Sequence, residues 1–244
     1  MSKIYAVGVG PGDPELITRK AERILRQVPV ICAPVGNADA ASYALSIVEP
    51  ILSAGHHEII PLIFPMSSDQ AVLEAAWEDA VAIIVGQVAG GQDVAFITIG
   101  DPLLYSTFLH LYRIIRQRHP DIEVELVPGI SSINASAAVA AVPLGIGSER
   151  IAILPAPGDE SQLRQTLADF DTIVIMKVHR VFDRVHLLLA ELGLDRQTVF
   201  VRRAGSPQEE VITDLARLVG TQLDYLSLLI VRKNPLIPSL GGMQ

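Results

Sequence analysis

The chain has 244 residues, half of them apolar, a formal net charge of −8 and a single cysteine. This length allows one large domain or two near the common domain size, and the lone Cys32 excludes an intrachain disulfide. The acidic balance argues against a nucleic-acid binder held by bulk electrostatics, and no apolar run reaches the ~18 residues of a membrane span.

Met1-Ser2-Lys3 passes directly into a strand-like segment with no signal-peptide pattern. With the single cysteine, this reads as a cytoplasmic protein without nucleic-acid or membrane partners. An anionic small-molecule substrate stays compatible with the net charge, because a cleft can be locally positive.

Lys3 to Val9 reads as a buried strand, followed by Gly8, Gly10 and Gly12 in Gly-Val-Gly-Pro-Gly-Asp-Pro. Leu16, Ile17, Ala21, Ile24, Leu25 and Val28 then fall on one helical face. Strand, glycine turn and helix invite a dinucleotide reading. Against it, the glycine spacing departs from Gly-x-Gly-x-x-Gly, and Pro11 and Pro14 remove N–H groups that a pyrophosphate would use. Asp39 stands roughly where the acidic ribose contact of that motif belongs, about 20 positions after the turn.

Val28 to Ala33 predicts a second strand, broken by Pro34 and Gly36, and Ala38 to Val48 a helix. His57 to Phe64 predicts a third strand. Ser67-Ser68-Asp69 can cap a long helix from Gln70 to Ala89, with Val72, Ala76, Ala80, Ile83 and Ile84 as its buried face and Gly90-Gly91 as its stop.

Val94 to Ile99 is an apolar, β-branched run that breaks at Gly100-Asp101-Pro102 and resumes with helical spacing at Leu104, Phe108, Leu111 and Ile115. A strand therefore delivers a glycine and a carboxylate to its carboxyl edge, where open α/β sheets bind ligands. Pro102 suits a first helical position. Asp101 reads either as an N-cap or as a ligand contact, or as both.

The order so far predicts a largely parallel sheet with helices on both faces. Arg116 to Asp121 is polar, contains Pro120, and marks the expected boundary between a domain over 1–118 and another over 121–244.

Ile122 to Val127 predicts a strand ending at Pro128-Gly129, and Ile130-Ser131-Ser132-Ile133-Asn134 opens a helix of small residues to Val142. Strands follow at Arg150–Leu154, Thr172–Lys177 and Thr198–Arg203, with helices at Glu160–Phe170 and Val181–Leu192. Glu209–Ile212 and Tyr225–Val231 read as paired strands around a short helix at Leu215–Gly220, so the second half is expected to be mixed α/β with an antiparallel portion.

Three stretches in order carry a family resemblance: Val7-Gly8-Val9-Gly10-Pro11-Gly12-Asp13-Pro14-Glu15-Leu16-Ile17-Thr18, then Gly100-Asp101-Pro102, then Val127-Pro128-Gly129-Ile130-Ser131-Ser132. Together they resemble the tetrapyrrole (corrin/porphyrin) methylases over nearly the whole chain. The resemblance implies two α/β domains of the class III methyltransferase type, an active-site cleft between them, S-adenosylmethionine as co-substrate, S-adenosylhomocysteine as product, and a homodimer.

The segments Gly100 to Phe108 and Ala44-Leu45-Ser46-Ile47-Val48 are similar to the subgroup that methylates the C-20 meso carbon of precorrin-2 or its cobalt form in cobalamin biosynthesis. Ile99 replaces the first glycine of the family's Gly-Gly-Asp-Pro, and Val35-Gly36 follows Pro34 where the subgroup often has lysine. The competing readings are another methylase of this family, acting at a different ring position or on uroporphyrinogen III, an RNA-directed relative, and a dinucleotide-binding oxidoreductase.

Carried over by position, the resemblance implies cofactor contacts at Pro11, Ile99, Gly100, Asp101, Leu104, Tyr105, Ser131, Ser132, Met176 and Ala204. Methyl transfer to a meso carbon requires loss of a proton, and Tyr105 and Asp101 are the candidate acceptors. A substrate rich in carboxylates calls for cations, available at Arg113, Arg116, Lys177, Arg180, Arg202, Arg203, Arg232 and Lys233. His56 and His57 would point to opposite faces of a strand, and His110, His119, His179 and His186 lack ligand spacing, so no protein-held metal is expected.

Overall fold

The computed structural model describes residues 2–52, 57–156 and 158–234. The chain divides into two compact units, Met1–Ser132 and Ile133–Gln244.

The first unit is built on five strands: β1 (Ile4–Gly8), β2 (Val30–Val35), β3 (Glu58–Ile63), β4 (Val94–Thr98) and β5 (Val124–Val127). They lie in the order β3-β2-β4-β1-β5, and every pair is parallel. Parallel strands need crossovers, which here run through α1 (Arg19–Leu25), α2 (Tyr43–Val48), α3 (Gln70–Ala89) and α4 (Phe108–Arg118). Two apolar clusters form on the unit, one of Phe96, Trp77, Ile84, Phe108 and Leu111, the other of Val7, Ile24, Leu25, Ile31 and Ile97. β4 is buried along its whole length, as a central strand covered on both faces must be.

Local chemistry sets most helix starts. Asp69 accepts the Ala71 N–H at 2.9 Å at the start of α3, Thr18 accepts the Ala21 N–H at 3.1 Å at α1, and Ser42 accepts the Leu45 N–H at 3.3 Å at α2. Gly90 closes α3, with Gly91 behind it at φ 86. Cys32 sits fully buried in β2, where burial and then the charge of Glu58 push its thiol up to about 12, so it offers no thiolate.

Several expectations need correction here. Pro34 does not end β2: pairing with β4 stops at Cys32, so Pro34 lies where the strand is laddered on one side only and its missing N–H is tolerated. The buried side of α3 is Trp77, Ala80, Val81 and Ile84, whereas Val72 and Ile83 are 45% and 40% exposed. That helix is apolar nearly all round, so its pattern did not single out a face. The polar stretch at Pro120 is not a domain boundary but the α4–β5 connection, because β5 pairs with β1 inside the first sheet. The helix expected over Ala38–Val48 begins only at its Ser42 cap.

α5 (Ser132–Val139) starts on the last residue of the first unit, and the second unit carries β6 (Ile151–Pro155), α6 (Glu160–Asp169), β7 (Thr172–Met176), α7 (Phe182–Glu191), β8 (Thr198–Arg202), β9 (Glu210–Ile212) and β10 (Ser227–Arg232). The sheet order is β6-β7-β10-β8-β9; β6 and β7 are parallel and all other pairs antiparallel. The expected pairing of β9 with β10 does not occur, since β8 lies between them and hydrogen-bonds to both. Phe182, Val185, Leu189, Phe200, Ile175 and Leu229 form the core of this unit.

Arg232 is 5% exposed; its two terminal guanidinium nitrogens donate to Glu149 at 2.7 and 3.0 Å and to the Thr172 hydroxyl at 2.9 Å, while its buried Nε has no hydrogen-bond partner. A charge taken out of water needs such partners.

Candidate active site

β1 feeds β2, which lies beyond β4, while β4 feeds β5, which lies beyond β1. The connections leaving two adjacent strands therefore go opposite ways, and the crevice at their carboxyl ends is where an open parallel sheet accepts a ligand.

The two loops leaving that point are joined by their backbones. The Gly100 N–H donates to the Gly10 carbonyl at 2.7 Å, and the Gly10 N–H to the Gly100 carbonyl at 3.4 Å. Gly10 and Gly100 hold φ of 83° and 69°, the left-handed region that glycine enters without steric cost. Gly8 has no such φ but has no room: a Cβ there would stand 2.5 Å from the Gly100 carbonyl oxygen and 2.7 Å from the Gly129 nitrogen. Three backbone segments thus pack against one another only because none carries a side chain.

Asp101 does not cap a helix, and Pro102 is not a first helical position. α4 starts at Phe108, whose N–H is accepted by the Ser106 hydroxyl at 3.1 Å. Ser106 is itself fixed by the Thr98 hydroxyl at 3.1 Å. Tyr105 sits at φ 51° and breaks any helical continuation from Leu103. Asp101 instead accepts the Leu103 N–H at 2.8 Å through one oxygen and the Gly129 N–H at 3.1 Å through the other. It closes a local turn and ties the loop after β4 to the loop after β5.

The atoms facing Gly100 are the Ser131 Cα, the Ile130 carbonyl oxygen and the Ser132 nitrogen, 3.8, 4.0 and 4.0 Å from where a Cβ would be. Pro11 is buried beside Gly10, Ile99 and Leu104 are half-buried, and Tyr105 is 41% exposed. The structure therefore gathers Pro11, Ile99, Gly100, Asp101, Leu104, Tyr105, Ser131 and Ser132 at the carboxyl edge of the first sheet.

Met176 and Ala204 belong to the second unit. The ladder sets Met176 opposite Leu228 and Arg202 opposite Ser227, so the carboxyl ends of β7 and β8 flank the start of β10. Immediately beyond them Lys177 and Arg203 hold φ of 57° and 49°, uncommon for non-glycine residues. Their N–H groups donate to the Ser227 and Leu226 carbonyls at 3.1 and 2.8 Å. Asp224 organises this corner, accepting the Leu226 N–H at 2.8 Å and the Arg203 Nε–H at 2.6 Å. Burial pulls the Asp224 carboxyl up, but those two donors outweigh it and hold the group below its usual range.

Among the cations, Arg232 is taken by Glu149, Arg202 by Glu210 and Arg203 by Asp224. Lys233 donates to the Ala168 carbonyl at 3.0 Å and Arg116 to the Pro120 carbonyl at 3.4 Å. Arg113, Lys177 and Arg180 form no ion pair among the described residues.

Three of the histidines, His57, His110 and His186, serve packing. His57 Nδ1–H donates to the Val28 carbonyl at 2.7 Å. His110 stacks on Trp77 with centroids 3.8 Å apart, and burial and then the charge of Arg113 push its imidazole below the usual range. His186 stacks on Phe182. His56 lies outside the described residues. Among the described residues, no group of three or more His, Cys, Asp or Glu is placed to hold a metal, and no helix is long and apolar enough to cross a membrane.

Sequence reasoning missed Gly129 as the partner of Asp101, Ser106 as the acceptor of the first N–H of α4, and Tyr225, whose ring meets His179 edge-on at 5.3 Å. The Ser-Thr-Phe order before the helical run carried the signal for Ser106. Nothing local signalled the other two, which depend on strand order.

The chain matches known proteins over most of its length. The family model for tetrapyrrole (corrin/porphyrin) methylases matches residues 3–219. The chain is 37% identical to the cobalt-precorrin-2 C(20)-methyltransferase of Salmonella typhimurium, over 95% of this chain and 96% of that protein. It is 31% identical to a precorrin-2 C(20)-methyltransferase from a Sinorhizobium species, over 95% of each. Among solved structures, uroporphyrin-III C-methyltransferase of Thermus thermophilus, complexed with S-adenosylhomocysteine, superposes with a TM-score of 0.67 at 22% identity, covering 95% of this chain and 98% of that one.

Proposed function

The chain belongs to the tetrapyrrole (corrin/porphyrin) methylases, and we propose that it transfers the methyl group of S-adenosylmethionine to C-20 of precorrin-2 or cobalt-precorrin-2 in cobalamin biosynthesis. The observation that carries this reading is the 37% identity with the Salmonella C(20)-methyltransferase along nearly the full length of both chains. Use of the sulfonium donor is supported by the family and by the S-adenosylhomocysteine held by the Thermus relative. A homodimer working in the cytoplasm is part of the same proposal.

The residues at the first sheet's edge fit such a donor. A sulfonium is a cation that favours carbonyl and hydroxyl oxygens and has no use for a phosphate cradle. The loop after β1 offers carbonyls and a proline rather than a run of N–H groups, and α1 begins only at Arg19, too late to aim its N-terminus at a pyrophosphate. The strand order also departs from the 3-2-1-4-5-6 arrangement of dinucleotide-binding sheets. Both features disfavour an oxidoreductase.

When bound, S-adenosylmethionine supplies an electrophilic methyl group. The roles proposed for the chain are then positional. On the first unit Pro11, Ile99 and Leu104 wall the donor, the backbone at Gly100 and Ser132 faces its charge, and Ser131 adds a contact; Met176 and Ala204, on the second unit, are contacts implied by the family resemblance alone. Asp101 is assigned to the donor amine or ribose and Tyr105 to the reacting carbon, as the family resemblance implies.

The C-20 carbon, made electron-rich by the conjugated ring nitrogens, forms its new bond to the methyl as the methyl–sulfur bond breaks. S-adenosylhomocysteine leaves, and the C-20 proton passes to Tyr105 or Asp101, directly or through water. Positioning and exclusion of water supply most of the rate gain for such a displacement.

The test is anaerobic incubation with methyl-labelled S-adenosylmethionine and each tetrapyrrole, followed by NMR of the product. Label at C-20 supports the reading. Label at another ring position, or methylation of uroporphyrinogen III instead, assigns a different activity within the family.

A further inference from the structure

The second unit carries a cationic group that its fold does not explain. Lys177, immediately after β7, sits in the left-handed region at φ 57° and ψ 36°, where a glycine would be the unstrained choice. Its backbone is fixed there by the Ser227 carbonyl at 3.1 Å. Its ammonium has no carboxylate partner among the described residues and stands 5.9 Å from the centroid of the Tyr225 ring. Arg203, in the matching position after β8, is by contrast tied to Asp224 at 2.6 Å.

Two neighbours sharpen the contrast. His179 packs edge-on against the same Tyr225 ring at 5.3 Å, and its buried Nδ1 has no hydrogen-bond partner. Buried polar atoms are normally satisfied, so an orphan of this kind calls for an explanation. Arg180 is exposed, makes no ion pair among the described residues, and borders with His179, Arg184 and Thr221 a hollow of about 320 Å³. Asp183 also borders this hollow, but its oxygens are occupied by the Gly220 N–H at 3.2 and 3.3 Å. In a chain of net charge −8, this is a concentrated positive corner at the carboxyl edge of the sheet that also presents Met176 and Ala204.

We infer that Lys177, supported by Arg180 and His179, forms a carboxylate-binding subsite that engages an acid side arm of the tetrapyrrole. The inference rests on the methyltransferase reading and deepens it. An unpaired ammonium held over an aromatic ring is already positioned, so little ordering entropy remains to be lost when a carboxylate arrives. The donor's methionine portion also carries a carboxylate, and the experiment separates the two sources.

The full chain, wild type and Lys177→Gln, is titrated with S-adenosylhomocysteine by calorimetry and, anaerobically, with cobalt-precorrin-2 by absorbance at low and high salt. The Gln variant keeps the backbone demand and removes the charge. It should bind the tetrapyrrole about tenfold more weakly, with a shallower salt dependence and unchanged affinity for S-adenosylhomocysteine. Lys177→Arg should restore most of the loss. Arg180→Gln, at an exposed position, should show a smaller loss and serves if Lys177→Gln does not fold. Weakened binding of S-adenosylhomocysteine alone would keep the subsite and assign it to the donor's carboxylate. Unchanged affinity for both ligands overturns it. A wild-type chain that binds neither ligand overturns the methyltransferase reading first, and the subsite with it.

Discussion

Asp101 and Gly129 are joined by a hydrogen bond of 3.1 Å from the glycine N–H to one carboxylate oxygen, while the other oxygen accepts the Leu103 N–H at 2.8 Å. The side chain thus fixes two of the loops proposed to hold the donor, and a carboxylate retains lone pairs for a ligand after doing so. Asp101→Asn presents an amide N–H to one of two backbone N–H groups. We predict a loss of about tenfold or more in S-adenosylhomocysteine affinity by calorimetry. Unchanged affinity would remove Asp101 from the donor site.

The packing at Gly8 makes a contrasting pair of predictions. Gly8→Ala drives a Cβ to 2.5 Å from the Gly100 carbonyl oxygen, an overpacking expected to cost about 1–3 kcal/mol in urea unfolding and to weaken S-adenosylhomocysteine binding. Gly86→Ala, in α3 with nothing within 4 Å of the new Cβ, should instead stabilise by about 0.5–1 kcal/mol and leave binding unchanged.

Acid should weaken the first unit through Glu125. Hydrogen bonds from Lys20 and then from Lys3 hold its carboxyl at about 2, against 4.5 when unperturbed. The folded state therefore resists protonation that the unfolded chain accepts. The stabilisation is fully present above pH 4.5 and is lost as pH falls through that window towards about 2. Urea midpoints across this range should fall for the wild type and fall less for Glu125→Gln. Parallel curves for the two would refute the linkage.

Tyr105 offers a kinetic test. If its hydroxyl handles the C-20 proton, Tyr105→Phe should lower kcat by about a hundredfold while S-adenosylhomocysteine affinity holds. A variant with wild-type turnover would make the residue a wall of the site, leaving Asp101 or water as the acceptor.

Much of this organisation was legible because its signals are local. β-branched runs and glycine breaks located the central strands, Asp69 and Gly90 bounded α3, and the three glycine-bearing stretches fell at the carboxyl edge of one parallel sheet. What stayed hidden depends on order and register. Insertion of β8 between β9 and β10, the membership of β5 in the first sheet, and the reach of Asp101 to Gly129 all join residues far apart in sequence. The delayed start of α4 was hidden for another reason. Leu104 keeps the spacing of Phe108 and Leu111, yet Tyr105 at φ 51° turns the chain out of helix.

A calorimetric titration of the purified chain with S-adenosylhomocysteine, with NAD run alongside, bears most directly on the donor site proposed at the edge formed by Gly10, Gly100 and Ser131. Saturable binding of S-adenosylhomocysteine, lost in Gly8→Ala and Asp101→Asn, with no heat from NAD, is the predicted result. Binding of NAD in its place, or S-adenosylhomocysteine binding indifferent to both substitutions, would contradict it.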